Sequence, residues 1–131
     1  MISDEIKKDV INYWLGKAYE AIEGAKRDFG DERYAFAASR TYYACFYALS
    51  AVLLREGHKF SKHTGVRSAF HRVLVKTGRI SPDLGRFYDL LFDSRQRADY
   101  QELVKFNRDE VAELISTATV FVDKMKELLK D

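Results

Sequence analysis

Cysteine, proline and glycine are scarce in this sequence, which has one, one and seven of them in 131 residues. The single cysteine, Cys45, cannot form an internal disulfide or a four-ligand zinc site, so disulfide-stabilised scaffolds are excluded. Few prolines and glycines mean few interruptions, which favours long helices. The longest stretch without a charge, residues 41–54, has 14 residues, whereas a membrane-spanning helix needs about 20. We therefore expect no membrane span.

The signatures of several enzyme classes are also missing. The sequence has no P-loop, no glycine-rich dinucleotide fingerprint and no His-Glu-x-x-His zinc motif. His58 and His63 share a loop but have no neighbouring carboxylate or second cysteine to complete a metal ligand set. Asp4 and Glu5 stand where a signal peptide would be basic and then apolar. The sequence thus predicts one cytoplasmic domain, residues 1–131, with no metal and no cofactor, and leaves catalysis open.

Positive charge is concentrated in one segment. The chain has a net charge of +2, yet residues 55–79 contain seven Lys or Arg against one Glu, a formal charge of +6, which leaves −4 for the remainder. All three histidines lie in the same segment. This asymmetry indicates an anionic partner. The alternative is a solvated helix face whose cations pair with acids elsewhere, and charge alone does not distinguish the two.

Helical periodicity and helix-end residues divide the chain into five helices. We predict an all-α up-and-down bundle with helices at about residues 4–29, 32–56, 65–77, 82–99 and 107–129. The signals for starts and stops are left-handed glycine caps, a helix-opening glycine and side-chain N-caps. The glycine caps are Gly30, Gly57 and Gly78, and the helix-opening glycine is Gly65. The side-chain N-caps are Asp31, Ser81 (followed by Pro82) and Asn107 (with Glu110).

The apolar spacing also predicts which helix faces are buried. The second helix is apolar all round and should be central or at an interface. Its many aromatic residues are more typical of core and interface packing than of a base-stacking platform. The first helix presents one stripe to the core, namely Ile6, Val10, Tyr13, Trp14, Ala18, Ala21 and Ala25. The fifth presents Val111, Leu114, Ile115, Ala118, Phe121, Val122, Met125 and Leu128.

Arg95 continues the apolar stripe of the fourth helix. An unpaired charge on such a face is costly, and Asp99 lies one turn further on. One interpretation is an Arg95–Asp99 ion pair that fixes helix packing. The other is an arginine that binds phosphate at a groove or dimer interface, with Tyr100 as stacking group or proton donor. Arg40 on the second helix raises the same question, because it serves either a buried network or the same anion as Arg95.

The loop at residues 57–65 is polar and basic and leads into a helix N-terminus. Backbone N–H groups and the helix dipole favour an anion there, and Lys62 and His63 add charge or a proton. This pattern is typical of a phosphate site. An ordinary connection between two helices is the alternative.

Several of these residues together resemble the HEPN domain family, in its short stand-alone prokaryotic branch. The matching motifs are Ser39-Arg40-x-Tyr42-Tyr43, Lys62-His63-x-Gly65-Val66, Phe70 with Lys76-Thr77-Gly78, and Arg95-x-x-Ala98-Asp99-Tyr100. The resemblance implies a helical homodimer with a composite site between subunits, action on RNA or a nucleotide, and often a toxin role beside a separately encoded minimal nucleotidyltransferase. It places Arg40, Lys62, His63, Arg95 and Asp99 as candidate nucleotide- or RNA-binding residues.

The sequence departs from the family at the catalytic motif. Active HEPN ribonucleases resemble one another in an arginine followed, after four to six residues, by a histidine. Arg95 fits the arginine, but Tyr100 stands where the histidine is expected, and no histidine follows Arg95. A tyrosine, with a pKa of about 10, is a poor proton-transfer group at neutral pH.

Three hypotheses follow from the sequence. The first is a homodimeric module that binds RNA or a nucleotide and works with the nucleotidyltransferase partner. The second is a metal-independent endoribonuclease toxin in which Arg95 orients the phosphate and Tyr100 or His63 transfers protons. The third is a non-catalytic structural or protein-binding dimer whose charges only fix packing.

Overall fold

The computed structural model of the protein describes residues 3–58, 62–99 and 105–130, and the side chain of Asp99 lies outside the description. These residues form five α-helices and no strand: α1 (Asp4–Gly30), α2 (Tyr34–Arg55), α3 (His63–Phe70), α4 (Pro82–Asp99) and α5 (Arg108–Leu129). A five-residue π-helical segment, His71–Val75, continues α3 and is called the π turn below. The all-α class predicted from the sequence is confirmed.

Side-chain caps fix the starts of three helices. The Oγ of Ser3 accepts a hydrogen bond from Ile6 N at 3.2 Å in α1. The Oγ of Ser81 accepts from Leu84 N at 3.2 Å in α4, and the Oδ1 of Asn107 accepts from Glu110 N at 2.7 Å in α5. Each cap satisfies a first-turn N–H group that has no partner inside its own helix. The two caps predicted from the sequence, Ser81 and Asn107, are confirmed.

The turn between α1 and α2 differs from the prediction. Gly30 is still helical, Asp31 is the C-cap of α1 rather than the N-cap of α2, and Glu32 is the residue with positive φ, at 62°. α1 extends one residue further than predicted, and the backbone N–H of Asp31 donates to Arg27 O at 3.0 Å. The left-handed residue that ends the helix is therefore Glu32 and not Gly30. The predicted left-handed glycines at Gly57 (φ 90°) and Gly78 (φ 82°) are confirmed.

The third predicted helix, 65–77, was wrong in both its start and its regularity. It begins two residues earlier, at His63, and changes at Phe70 into the π turn. The wider turn is closed by a hydrogen bond from Lys76 N to His71 O at 2.8 Å, five residues apart. Gly85 of α4 faces this turn, and a Cβ there would lie 3.2 Å from Val75 Cγ2. The missing side chain therefore lets α4 approach the π turn closely.

α2 is the central helix and contacts all four of the others. Most residues in its middle are buried, and every predicted inward residue of α5 is buried. The prediction for α1 holds only in the second half, where Ala18, Ala21 and Ala25 are buried, whereas Ile6 and Tyr13 are 54% and 60% exposed. Small residues allow close packing of α1 on α2 in that half, and the larger side chains near its start remain on the surface. None of the described helices has the length and apolar content of a membrane span.

Candidate functional site

A hydrogen bond between Tyr42 of α2 and His63 of α3 is the centre of the candidate site. The Tyr42 hydroxyl lies 2.7 Å from His63 Nδ1, and Tyr42 is fully buried. The imidazole stacks on Phe46, with the ring centres 4.1 Å apart and the planes at 13°. Tyr43 meets the same imidazole edge-on at 5.8 Å. The first residue of α3 is thus held in a fixed orientation by three aromatic side chains of α2.

Arg95 of α4 lies against the same tyrosines. Its guanidinium carbon is 5.7 Å from the ring centres of both Tyr42 and Tyr43, which is within the range of cation–π attraction. Its Nε is buried and has no hydrogen-bond partner among the described residues. Arg95 and His63 therefore share one aromatic wall, although they come from different helices. A cation with a buried, unsatisfied N–H at such a position is suited to an oxyanion of a ligand.

The surroundings of His63 favour its neutral form. Burial first, and then the charge of Arg95, lower the pKa of His63 from its ordinary value of 6.5. The ring is therefore uncharged at neutral pH, as a general base must be. Its Nε2 makes no hydrogen bond to any described residue, since the contacts of this side chain are the bond to Tyr42 and the ring stacking.

Tyr42 is held in turn by a second layer of side chains. Burial raises the pKa of Tyr42, and it raises the pKa of the neighbouring Tyr88 further, so both hydroxyls stay protonated. The Tyr88 hydroxyl is buried and makes no hydrogen bond of good geometry with a described residue, although it lies close enough to Tyr42 to affect its pKa. Arg67, one turn after His63, packs over Phe92 at 4.2 Å.

The other predicted site residues are placed differently. Arg40 is 57% exposed and donates through Nε to Asp28 Oδ2 of α1 at 2.6 Å, so it pairs across α1 and α2. The described contacts of Arg40 do not include the aromatic wall of Arg95. Lys62 is the exposed N-cap residue of α3 and stands directly before His63.

Part of the predicted site lies outside the described residues. This applies to the Asp99 side chain, to Tyr100 and to residues 59–61 of the basic loop. The Arg95–Asp99 ion pair and the role of Tyr100 therefore stay predictions. Within the described ranges, no group of three His, Cys, Asp or Glu side chains is placed to hold a metal ion.

Sequence reasoning assigned the aromatic residues of α2 to packing and overlooked what Tyr42 does. Tyr42 is indeed buried in the core, but its hydroxyl reaches out of that core to orient His63. The available signal was the motif Ser39-Arg40-x-Tyr42-Tyr43, which places a polar group on an otherwise apolar face. Cys45 is fully buried, and burial raises its pKa well above the ordinary value.

A comparison with models of protein families identifies the family of this chain. The family model described as the HEPN domain matches residues 11–128 of the chain. The chain belongs to the HEPN domain family. The resemblance found in the sequence motifs is thereby confirmed over most of the length.

Individual relatives agree with this membership. A UPF0332 protein of Thermotoga maritima is 43% identical over 95% of both chains. A protein of Methanocaldococcus jannaschii named "Putative toxin MJ0605" is 34% identical over all of this chain and 96% of its own. The crystal structure of TT1696 from Thermus thermophilus has a TM-score of 0.76 at 19% identity, covering 90% of this chain and 97% of that one. This last likeness supports the fold.

Proposed function

We propose that this HEPN domain is a metal-independent endoribonuclease, the toxin of a toxin–antitoxin pair. The observation that carries the proposal is the placement of a neutral His63 beside Arg95 on one aromatic wall. The family motif expects a histidine shortly after the arginine on the same helix, and this chain has none there. His63 supplies an imidazole from α3 instead. The name of the Methanocaldococcus jannaschii relative, "Putative toxin MJ0605", supports the biological role.

The reaction that fits these groups is transesterification of RNA. In the tautomer with the proton on Nδ1, His63 donates to the Tyr42 oxygen, and its Nε2 takes the proton of a ribose 2′-hydroxyl. The 2′-oxygen then bonds to phosphorus and the bond from phosphorus to the 5′-oxygen breaks, giving a cyclic phosphate. Arg95 binds the phosphate oxygens as their charge grows. The leaving oxygen takes its proton from Tyr100, the second proton-transfer residue of the sequence hypothesis, or from solvent.

The same proposal includes a homodimer. An aromatic surface spans α1 and α2 next to the site, and it contains Tyr13 (60% exposed), Phe36 (51% exposed) and the half-buried Tyr43 and Tyr47. Contiguous apolar surface of this kind favours association with another protein surface. A second copy across it brings two Arg95–His63 sites to one cleft, as the family resemblance implies. A separately encoded minimal nucleotidyltransferase is the proposed antitoxin partner.

Cleavage of total cellular RNA in EDTA tests the ribonuclease assignment. We expect the wild-type protein to cleave, and Arg95→Gln and His63→Gln each to lower the rate by about 10²-fold or more, the usual range for such groups. Arg86→Gln is the matched control, because Arg86 lies on the same helix, is exposed and, among the described residues, forms an ion pair only with Asp83. Circular dichroism verifies that each variant folds.

Two results would contradict the assignment. Wild-type rates in His63→Gln show that this residue is not the base. Intact RNA that is retained by the wild type but not by Arg95→Gln shows a binding module without catalysis, which was the first hypothesis from the sequence.

A further inference from the structure

An open groove lies along α3 and the π turn, and its described lining includes no residue of the aromatic wall. Its volume is about 710 Å³. Its lining includes the cations Arg67, Arg72 and Lys76, together with His71 of the π turn and Asp89 of α4. No part of the ribonuclease proposal above uses this groove.

The cations of the groove lack acidic partners. Arg72 and Lys76 are exposed and make no ion pair with a described residue, and Arg67 contacts only the ring of Phe92. Six arginines elsewhere do have a carboxylate within 4 Å, namely Arg40, Arg55, Arg79, Arg86, Arg97 and Arg108. The one acid of the groove, Asp89, is already bound by His71 Nε2 at 2.9 Å. The groove is therefore a site of unbalanced positive charge, which favours an anion.

The π turn and Gly85 shape the groove. A Cβ on Gly85 would lie 3.4 Å from His71 Cε1 and 3.2 Å from Val75 Cγ2, so α4 packs closely against the turn at this glycine. That close approach allows Asp89 to reach His71 and fixes the base of the groove. Single π turns inside helices are frequent at functional sites. The groove is thus built by the fold and is not a chance collection of lysines and arginines.

Arg67 links the groove to the candidate site along α3, because it lines the groove and lies one turn after His63. His63, Arg67 and His71 follow one another at four-residue spacing, so they share one face of the helix. At 1.5 Å per residue, His63 and His71 are about 12 Å apart along the axis. A stacked nucleotide strand rises about 3.4 Å per residue, so this distance matches about three to four nucleotides.

We propose that this groove binds the backbone phosphates of single-stranded RNA that extends from the His63–Arg95 site. The proposal rests on the ribonuclease function and assigns Arg72 and Lys76 to phosphates several nucleotides from the cleaved bond. A single strand is favoured because the half-buried ring of Tyr43 at the His63 end offers an aromatic side chain against which an unpaired base packs. An acidic protein surface would be bound by the positive charges of the groove alone and would make no use of an aromatic ring beside it.

The test measures binding of two 2′-O-methyl RNA probes, which keep the phosphates but lack the nucleophilic hydroxyl. A fluorescent probe of about 12 nucleotides spans the site and the groove, and a probe of about three nucleotides reaches only the site. Fluorescence anisotropy follows the long probe, and the NMR signal of the His63 ring follows the short one. The variants are Arg72→Gln/Lys76→Gln and Arg95→Gln. Lys8→Gln/Lys130→Gln is the matched control, because it removes two exposed cations that do not line the groove.

We expect the groove variant to bind the long probe about tenfold more weakly and the short probe as the wild type does. Because each phosphate contact on a single strand contributes about 0.7 to the slope of log affinity against log salt, its slope should fall by about 1.4. If the groove variant and the Lys8/Lys130 control lose the same affinity for the long probe, the groove proposal is wrong, whatever the effect of Arg95→Gln. A different result is that Arg95→Gln binds both probes as the wild type does while the groove variant still weakens the long probe. That result would contradict the His63–Arg95 site but would support the groove.

Discussion

His63 obtains its chemical properties from side chains that its own helix does not supply. The hydroxyl of Tyr42 fixes one ring nitrogen, Phe46 fixes the plane, and Arg95 disfavours the charged form. At the scale of single residues, the histidine that the sequence places in a polar loop is, in the structure, a neutral imidazole with a fixed orientation. The same residue in a solvated loop would be partly protonated near neutral pH and free to rotate.

The titration of His63 tests this account directly. We expect its ring signals in NMR to titrate below pH 6.5 in the wild type, because burial and Arg95 both lower the pKa. Arg95→Met removes the positive charge that opposes protonation, so the midpoint should move upward. It should stay below 6.5, because burial remains the larger cause.

The pH dependence of cleavage has a definite sign. A general base acts in its deprotonated form, so the rate should rise with pH through the pKa of His63, with a midpoint below pH 6.5. Arg86→Gln, with its charge at an exposed position of the same helix, should leave the midpoint unchanged. A midpoint that Arg95→Met does not move would show that the two residues are not electrostatically coupled.

At the scale of elements, the packing of α1 on α2 depends on small residues at specific turns. A Cβ on Gly24 would lie 3.0 Å from Arg40 Cδ, whereas a Cβ on Gly16 would meet nothing within 4 Å. Both glycines lie inside α1, where alanine is favoured over glycine by about 1 kcal/mol. The two positions therefore separate helix propensity from packing.

We expect Gly16→Ala to raise the free energy of unfolding by about 1 kcal/mol in urea denaturation. Gly24→Ala should gain less, since the Arg40 side chain must shift and its bond to Asp28 is disturbed. The exposed Arg40–Asp28 pair is itself worth only about 0–1 kcal/mol. Equal gains at the two positions would mean that Arg40 moves aside freely and that α1 and α2 are not closely fitted there.

Element boundaries show how far local sequence reasoning reaches. The starts of α4 and α5 were predicted because Ser81 and Asn107 act on N–H groups of their own first turns. The π turn was not predicted, and it packs against α4 at Gly85, a contact between different elements that local spacing does not include. The shift of the left-handed position from Gly30 to Glu32 was missed for a related reason, because α1 continues for as long as its packing on α2 supports it.

At the scale of the whole molecule, the aromatic surface across α1 and α2 makes assembly testable. We expect the wild-type protein to have the mass of a dimer in light scattering at micromolar concentration. Phe36→Glu places a charge on the proposed interface and should shift the protein to the monomer. Val120→Glu is the control, because Val120 is 57% exposed on α5 and lies outside that surface. A monomeric wild type, or dissociation by both variants alike, would contradict the proposed dimer.

The sequence by itself determined the helical class, most helix boundaries and membership of the HEPN domain family. These features follow from local spacing, capping and motifs within single helices, so they can be recognised without knowing how the helices meet. Tertiary structure alone decided that Tyr42, His63 and Arg95 form one site and that Arg40 pairs with Asp28 instead. The reason is physical, because each of these contacts joins side chains of different helices, and their meeting depends on how α2, α3 and α4 pack around a shared core.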